Sequence, residues 1–247
     1  MSEEITVSEE ITVVLVHGAF AESSSWSGVI SRLSAQEVPV IATPNPLRSV
    51  ATDAANVRAA VAGIGGPVLL VGHSYGGAVI TEAAVDNDAV VGLVYVAAFA
   101  PDHGETSLQL TGQFPGSTLG EAVRPYPLDD GTNDIVVDRA LFPNQFAADV
   151  PADISAIQAL AQRPIRDFAL DEPQPSVTPA WKNVPSWFIF GDADKNIPVA
   201  GLRFMAERAE PIATREIPGA SHSVMVSQPA AVVAMITEAI RHLTTPS

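Results

Sequence analysis

A serine hydroxyl becomes a useful nucleophile only where a base can take its proton and N–H donors can hold the oxyanion that forms. The segment Gly72-His73-Ser74-Tyr75-Gly76-Gly77 carries the residue types for that task and fits G-x-S-x-G. It follows directly on the apolar run Pro67-Val68-Leu69-Leu70-Val71, the strand context that this motif requires. Glycines on both sides let a strand turn sharply into a helix, with Ser74 strained at the apex and a helix N-terminus beneath its hydroxyl. A bare G-x-S-x-G arises in any glycine-rich turn. The strand before it, and the helical spacing of Ala78, Val79, Ala83 and Ala84 after it, give the match its weight.

A base and an acid are needed at other strand ends. Of the five histidines, His17 and His73 lie beside elements they serve structurally, His103 opens a proline-rich segment, and His242 sits near the C-terminus. His222, in Pro218-Gly219-Ala220-Ser221-His222-Ser223, follows the last strand-like run and precedes the last helix, so it can reach across the strand ends toward Ser74. For the acid, Gly191-Asp192-Ala193-Asp194-Lys195-Asn196-Ile197-Pro198 follows the run Ser186–Phe190 and offers Asp192 and Asp194. A buried carboxylate there would fix the tautomer of the histidine and stabilise its imidazolium.

These side chains must be held by a scaffold, and its elements are legible as short β-branched runs alternating with helical patterns. Strand-like runs cover Thr12–Val16, Val38–Ala42, Val68–Val71, Val90–Ala97, Ser186–Phe190 and Thr214–Ile217. Helical patterns cover Ser25–Ala35, Thr52–Ala62, Tyr75–Asp86, Val199–Arg208 and Pro229–Leu243. Strands without polar alternation belong in a buried parallel sheet, so the expected fold is a doubly wound α/β domain with its site at the strand C-terminal ends.

The alternation breaks between Pro101 and Pro185, which hold eleven of the 20 prolines. Asp149–Arg163 has helical spacing there, with Ile154, Ile157, Leu160 and Ala161 on one face. Phe114, Tyr126, Phe142, Phe146, Phe168 and Trp181 are too many aromatics for a disordered loop. The division is therefore an N-terminal extension over 1–10, a core over 11–100 and 186–247, and a helical cap insertion over 101–185 that shapes substrate choice. The extension is suggested by Ser-Glu-Glu-Ile-Thr-Val, which occurs at 2–7 and again at 8–13, where the second copy feeds the first strand.

Composition narrows the function classes. A chain of 247 residues, 47% hydrophobic, suffices for one large domain. No cysteine is present, which excludes a disulfide scaffold, a thiolate metal site and a cysteine nucleophile. A formal charge of −15 argues against nucleic acid and anionic membrane as partners. The start Met-Ser-Glu-Glu lacks the basic and apolar stretches of a secretory signal, and a cytoplasmic protein is expected.

With these motifs in order, the chain resembles the α/β-hydrolase superfamily, and within it the small cap-bearing serine esterases similar to the methylesterase and hydroxynitrile lyase group. The resemblance runs from about Ile11 to the C-terminus. It implies an α/β-hydrolase fold: a mostly parallel six-stranded sheet with helices on both faces and an inserted cap. The family's acid loop, G-x-x-D-x-x-x-P, matches Gly191, Asp194 and Pro198, which implies Asp194 as the acid over Asp192, with Asp102 as the position some members use instead. His17-Gly18-Ala19-Phe20 resembles the family's oxyanion loop. It implies main-chain donors at Ala19 and Phe20, joined by Tyr75, the residue after the nucleophile. Phe20, Trp26, Tyr75, Phe99, Phe142 and Trp181 are the aromatic candidates for lining the pocket, beside the alternative of ordinary packing. Arg124, Arg139, Arg163 and Arg166 could meet a substrate carboxylate, although a solvated charge is the ordinary role of each.

The expected chemistry is acyl transfer without metal or organic cofactor. The expected substrate is a small or medium, largely apolar ester, and the expected assembly a monomer or homodimer. A lyase of the related plant type would carry lysine after the catalytic histidine and threonine after the first-strand histidine, where this chain has Ser223 and Gly18. Epoxide hydrolases and haloalkane dehalogenases need aspartate at the position of Ser74. Lactone hydrolysis and cofactor-free haloperoxidase or perhydrolase chemistry use the same three residues, and a small-molecule receptor without turnover is the alternative of another class.

Overall fold

The structure is a computed structural model that describes residues 10–245. The first copy of the N-terminal repeat, and with it most of the proposed extension, lies outside the described residues. Six strands form one sheet: β1 (Thr12–Val16), β2 (Val40–Thr43), β3 (Val68–His73), β4 (Val90–Val96) and, after a long insertion holding β5 to β7, β8 (Ser186–Gly191) and β9 (Ala213–Ile217). Their order is β2-β1-β3-β4-β8-β9, and every neighbouring pair is parallel. Such a sheet needs both faces covered, which is why β3 (VLLVGH) is buried at all six positions. The edge strands differ. In β9 exposed residues alternate with half-buried ones, and β2 begins at Val40 rather than Val38, because Glu37 turns in the left-handed region and Val38 closes that turn by donating to Leu33.

Helices cover both faces: α1 (Ser27–Ser34), α2 (Val50–Ile64), α3 (Tyr75–Ala83), α9 (Val199–Ala209), which follows the smaller helices α4 to α8 of the insertion, and α11 (Pro229–Thr244), which follows the short α10 (Val224–Ser227). Ser49 caps α2 by accepting from the Thr52 N–H, and α11 starts with Pro229 at a position where its missing N–H costs nothing. The expected helix over Ser25–Ala35 divides into a 3-10 turn at Ser23–Trp26 and α1. No helix among the described residues is long and apolar enough to cross a membrane.

Because β1 lies between β2 and β3, the chain switches direction across the sheet there, and the loops leaving β1 and β3 sit side by side. Open α/β sheets bind ligands at such points.

The 101–185 segment is not purely helical. Beside α4 (Ser107–Gly112), α5 (Leu119–Ala122), α6 (Phe142–Phe146), α7 (Ala152–Leu160) and α8 (Asp167–Asp171), it holds an antiparallel sheet of β5 (Val123–Pro127), β6 (Asn133–Val137) and β7 (Ile165–Arg166). These strands are too short to leave a period, and β5 carries two prolines besides. Helix α7 also departs from expectation, since Ile154, Ile157 and Leu160 are exposed while Ser155 and Ala159 are buried. The helix packs on its small residues, which allow a closer approach than the isoleucines would.

Several polar ties join this segment to the core. Arg48 reaches Asp134 of β6 at 2.7 Å and the Pro164 carbonyl at 2.8 Å, and Glu172 accepts from the Val50 N–H. On the far side, buried Glu82 of α3 accepts from the Gln174 amide at 3.1 Å and the Ser176 hydroxyl at 2.6 Å. Arg208 of α9 pairs with Glu105.

Candidate active site

Ser74 sits at the turn between β3 and α3 with φ 53° and ψ −124°, a backbone conformation that costs a side-chain-bearing residue of order 1–3 kcal/mol. The turn holds it there with bonds from both sides: the Ser74 N–H donates to Val96, and its carbonyl accepts from Gly77 and Phe99. Close approach explains the glycines. A Cβ on Gly76 would lie 2.6 Å from the Val16 carbonyl oxygen, and one on Gly18 would lie 2.6 Å from the Ser74 Cβ. The loop leaving β1 is thereby pressed against Ser74.

His222 follows β9, and its Nδ1 lies 2.6 Å from Asp194 Oδ2. Both side chains are buried. The other carboxylate oxygen, Oδ1, accepts from the backbone N–H groups of Asn196 at 2.7 Å and Ile197 at 3.0 Å, so the loop after β8 aims Oδ2 at the imidazole. Of the other two acid candidates, Asp192 is exposed and accepts from the Gly219 N–H, and Asp102 pairs with Lys182. Neither meets a histidine ring.

Ser74 and His222 border one cavity of about 120 Å³. Ala19, Phe20, Phe99, Phe146 and Ile197 line it on the core and α6 side, and Leu108, Leu119, Val123, Ile135 and Leu170 close it from the insertion. A larger depression of about 670 Å³ lies beside Asp86 and Asp88 and shares no residue with this group. Among the described residues, the backbone N–H groups of Ala19, Phe20 and Tyr75 donate to no acceptor, which leaves them free for a ligand oxygen.

The structure brings Phe20 and Phe99 to this cavity and not the other aromatic candidates. Trp26 is fully buried behind the site, edge-on to His73 at 6.4 Å. Trp181 donates from its indole to the Pro101 carbonyl, and Lys182 and Arg208 lie over its ring, so its polar tip is spent on packing the insertion. Phe142 stacks on Phe146 at 4.9 Å and lines a smaller neighbouring cavity. The Tyr75 ring is buried with its hydroxyl donating to Asp53. Arg124 and Arg166 pair with Asp138 and Asp130, and none of the four arginines borders the cavity.

Sequence reading passed over several neighbours. Phe146 lies edge-on to His222 at 4.8 Å, and its carbonyl accepts from Ser223 at 3.0 Å. His73 Nε2 lies 3.0 Å from the His222 carbonyl. Burial holds the His73 imidazole well below its ordinary value and His17 down to about 4, so both are neutral. His73 then carries its proton on Nε2, as donation to a carbonyl demands. His17 accepts from the Asn45 N–H through Nε2 and donates from Nδ1 to Gly18. Asn196 was visible in the sequence only as a polar residue within the acid loop.

Known proteins share the family and the fold. The profile of the alpha/beta hydrolase family matches residues 13–235. An alpha/beta hydrolase of Aspergillus novofumigatus (strain IBT 16806), nvfD, is 26% identical over 246 residues, covering 92% of this chain and 95% of its own. Two solved structures share the fold. The pyrethroid hydrolase of Sphingobium faniae JZ-2 has a TM-score of 0.75 at 22% identity, over 94% of this chain and 98% of that one. An Arabidopsis methylesterase, MES16, has a TM-score of 0.76 at 18% identity, over 94% and 99%.

Proposed function

This chain belongs to the alpha/beta hydrolase family, and on that premise we propose that it cleaves carboxylic esters of small or medium, largely apolar substrates through an acyl-enzyme on Ser74. The observation that carries the proposal is the 2.6 Å contact between His222 Nδ1 and Asp194 Oδ2, made beside the cavity that Ser74 also borders. Asp194 holds the Nδ1–H tautomer, which leaves Nε2 as the base.

His222 takes the Ser74 proton as Oγ bonds to the ester carbonyl carbon. The oxyanion is held by the N–H groups of Ala19, Phe20 and Tyr75, donors that need no reorganisation as charge develops. When the tetrahedral adduct collapses, the C–O bond to the leaving group breaks and His222 returns its proton to the departing alcohol. His222 then deprotonates water for attack on the acyl-enzyme, and the acid leaves with Ser74 restored. Residues 101–185 act as a cap whose leucine, valine and isoleucine side chains set the apolar preference. No metal or organic cofactor takes part, and the protein works in the cytoplasm as a monomer or homodimer.

The test is a steady-state assay on p-nitrophenyl esters of increasing acyl length, with wild type and Ser74→Ala at matched folding. Multiple turnovers that vanish in Ser74→Ala are expected. Substantial turnover by Ser74→Ala would sink the scheme. A folded wild type that turns over no ester would move the reading to lactone hydrolysis, perhydrolysis or a ligand receptor.

A further inference from the structure

A residue that borders the site carries a buried amide donor without a partner among the described residues. Asn196 is 2% exposed and borders the cavity that holds Ser74 and His222. Its orientation is fixed by a chain of hydrogen bonds. The Thr118 hydroxyl donates to Gln145 Oε1 at 2.8 Å, so the other end of Gln145 is its nitrogen. That Nε2 donates to the Lys195 carbonyl and to Asn196 Oδ1, both at 2.9 Å. A carbonyl accepts only, which makes the Gln145 assignment unambiguous and leaves Asn196 with oxygen toward Gln145. Asn196 Nδ2, with two N–H groups, is then buried and bonded to nothing among the described residues.

Buried side-chain donors almost always find a partner, and those that do not mark a strained, functional or ligand-filled position. The rest of the wall is mainly Phe99, Leu108, Leu119, Val123, Ile135 and Leu170. Of the other polar residues there, Thr111 already spends its hydroxyl on the Ser107 carbonyl.

We infer that Asn196 is a specificity residue that donates to an oxygen carried by the substrate in addition to its ester group, so that the enzyme prefers esters bearing a keto, ether or hydroxyl oxygen on an otherwise apolar chain. This inference rests on the esterase reading above. A site built to pair a substrate oxygen discriminates strongly against analogues that lack it, because its own polar group is then left unpaired. Asn196 makes no bond to the reacting atoms; it selects and aligns.

The test compares ethyl hexanoate with its 3-oxo, 4-oxo and 5-oxo analogues. Both kcat/KM in the active protein and Kd by calorimetry on Ser74→Ala are measured, each with and without Asn196→Leu. Asn196→Asp serves as a second variant that keeps the Gln145 contact and loses the donor. At one oxo position the wild-type side chain should favour the oxo ester by about tenfold or more, and both variants should erase that ratio. Taking the ratio within each protein removes differences in folded fraction and the intrinsic activation of a 3-oxo ester. An equal ratio with and without Asn196 at every position overturns the inference, and leaves a trapped water as the partner of Nδ2. If no ester is turned over, the esterase reading fails, and the calorimetric ratio still decides the role of Asn196.

Discussion

His73 donates its Nε2 proton to the carbonyl oxygen of His222 across 3.0 Å, so the residue before Ser74 holds the backbone of His222. The two rings lie 4.7 Å apart, and burial keeps His73 neutral beside its neighbour. The turn that carries Ser74 therefore also anchors the loop that carries His222.

Replacing His73 by leucine should lower kcat about tenfold or more on the best ester and change KM little, because small misplacements of a reacting group cost rate steeply. His73→Gln, which restores an N–H, should recover part of the loss. An unaltered kcat in His73→Leu would show that the contact is packing alone.

Ser74→Gly should separate strain from chemistry. Glycine adopts φ 53° without a Cβ penalty, so urea unfolding should show a gain of about 1 kcal/mol, net of the added backbone entropy, while activity disappears. A glycine variant less stable than wild type would mean that the Ser74 hydroxyl contributes more to folding than the strain removes.

The two aspartates of one loop should behave oppositely. Asp194→Asn removes the carboxylate that fixes the His222 tautomer and should cost on the order of 10³–10⁴ in kcat. Asp192→Asn, which touches only the Gly219 N–H, should stay within about twofold of wild type. Comparable losses in both would reassign the acid.

Stability should fall with acid well before the carboxylates titrate. His17 and His73 are neutral in the folded chain, at about 4 and well below 6.5, while the unfolded chain protonates both near 6.5. The unfolded state then binds more protons, so their contribution is complete above about pH 6.5 and drains as pH drops, by up to ~3 kcal/mol per pH unit for the two together. Asp53, raised by burial, works in the opposite sense with a single proton. Asp130, down to about 2 through bonds from Thr132 and Arg166, belongs to a more acidic window. Urea midpoints at pH 7.5, 6.0 and 5.0 read this directly, and a flat profile would contradict it.

The core and the insertion differed in how plainly the sequence announced them. Val68–Val71 and the glycines after it constrain the chain locally, since a buried parallel strand must be apolar and the turn must be small. The doubly wound α/β architecture was legible for that reason. Val123–Pro127 carries two prolines and is largely exposed, so nothing in its pattern distinguishes a strand from a loop. Ile154, Ile157 and Leu160 line up on α7 as a buried face would, yet Ser155 and Ala159 make the contact. The environment of Asn196 was out of reach for a different reason. Its free N–H exists only because Gln145, distant in the chain, occupies its oxygen.

Strands β4 and β8 are parallel neighbours, so the chain that leaves the C-terminal end of β4 must travel back before β8 can begin. Elsewhere in the sheet a helix performs that return. Here the stretch from Glu172 to Pro185 does it with only a 3-10 turn at Ala180–Lys182, fastened to the flank of α3 where Gln174 and Ser176 meet Glu82. The insertion is consequently two components with different tasks. Residues 101–171 supply cavity wall and, through Gln145 and Phe146, brace the loops that carry Asp194 and His222, whereas 172–185 returns the chain to β8, and a chimera that discards it should lose the register of β8 and with it the mounting of Asp194.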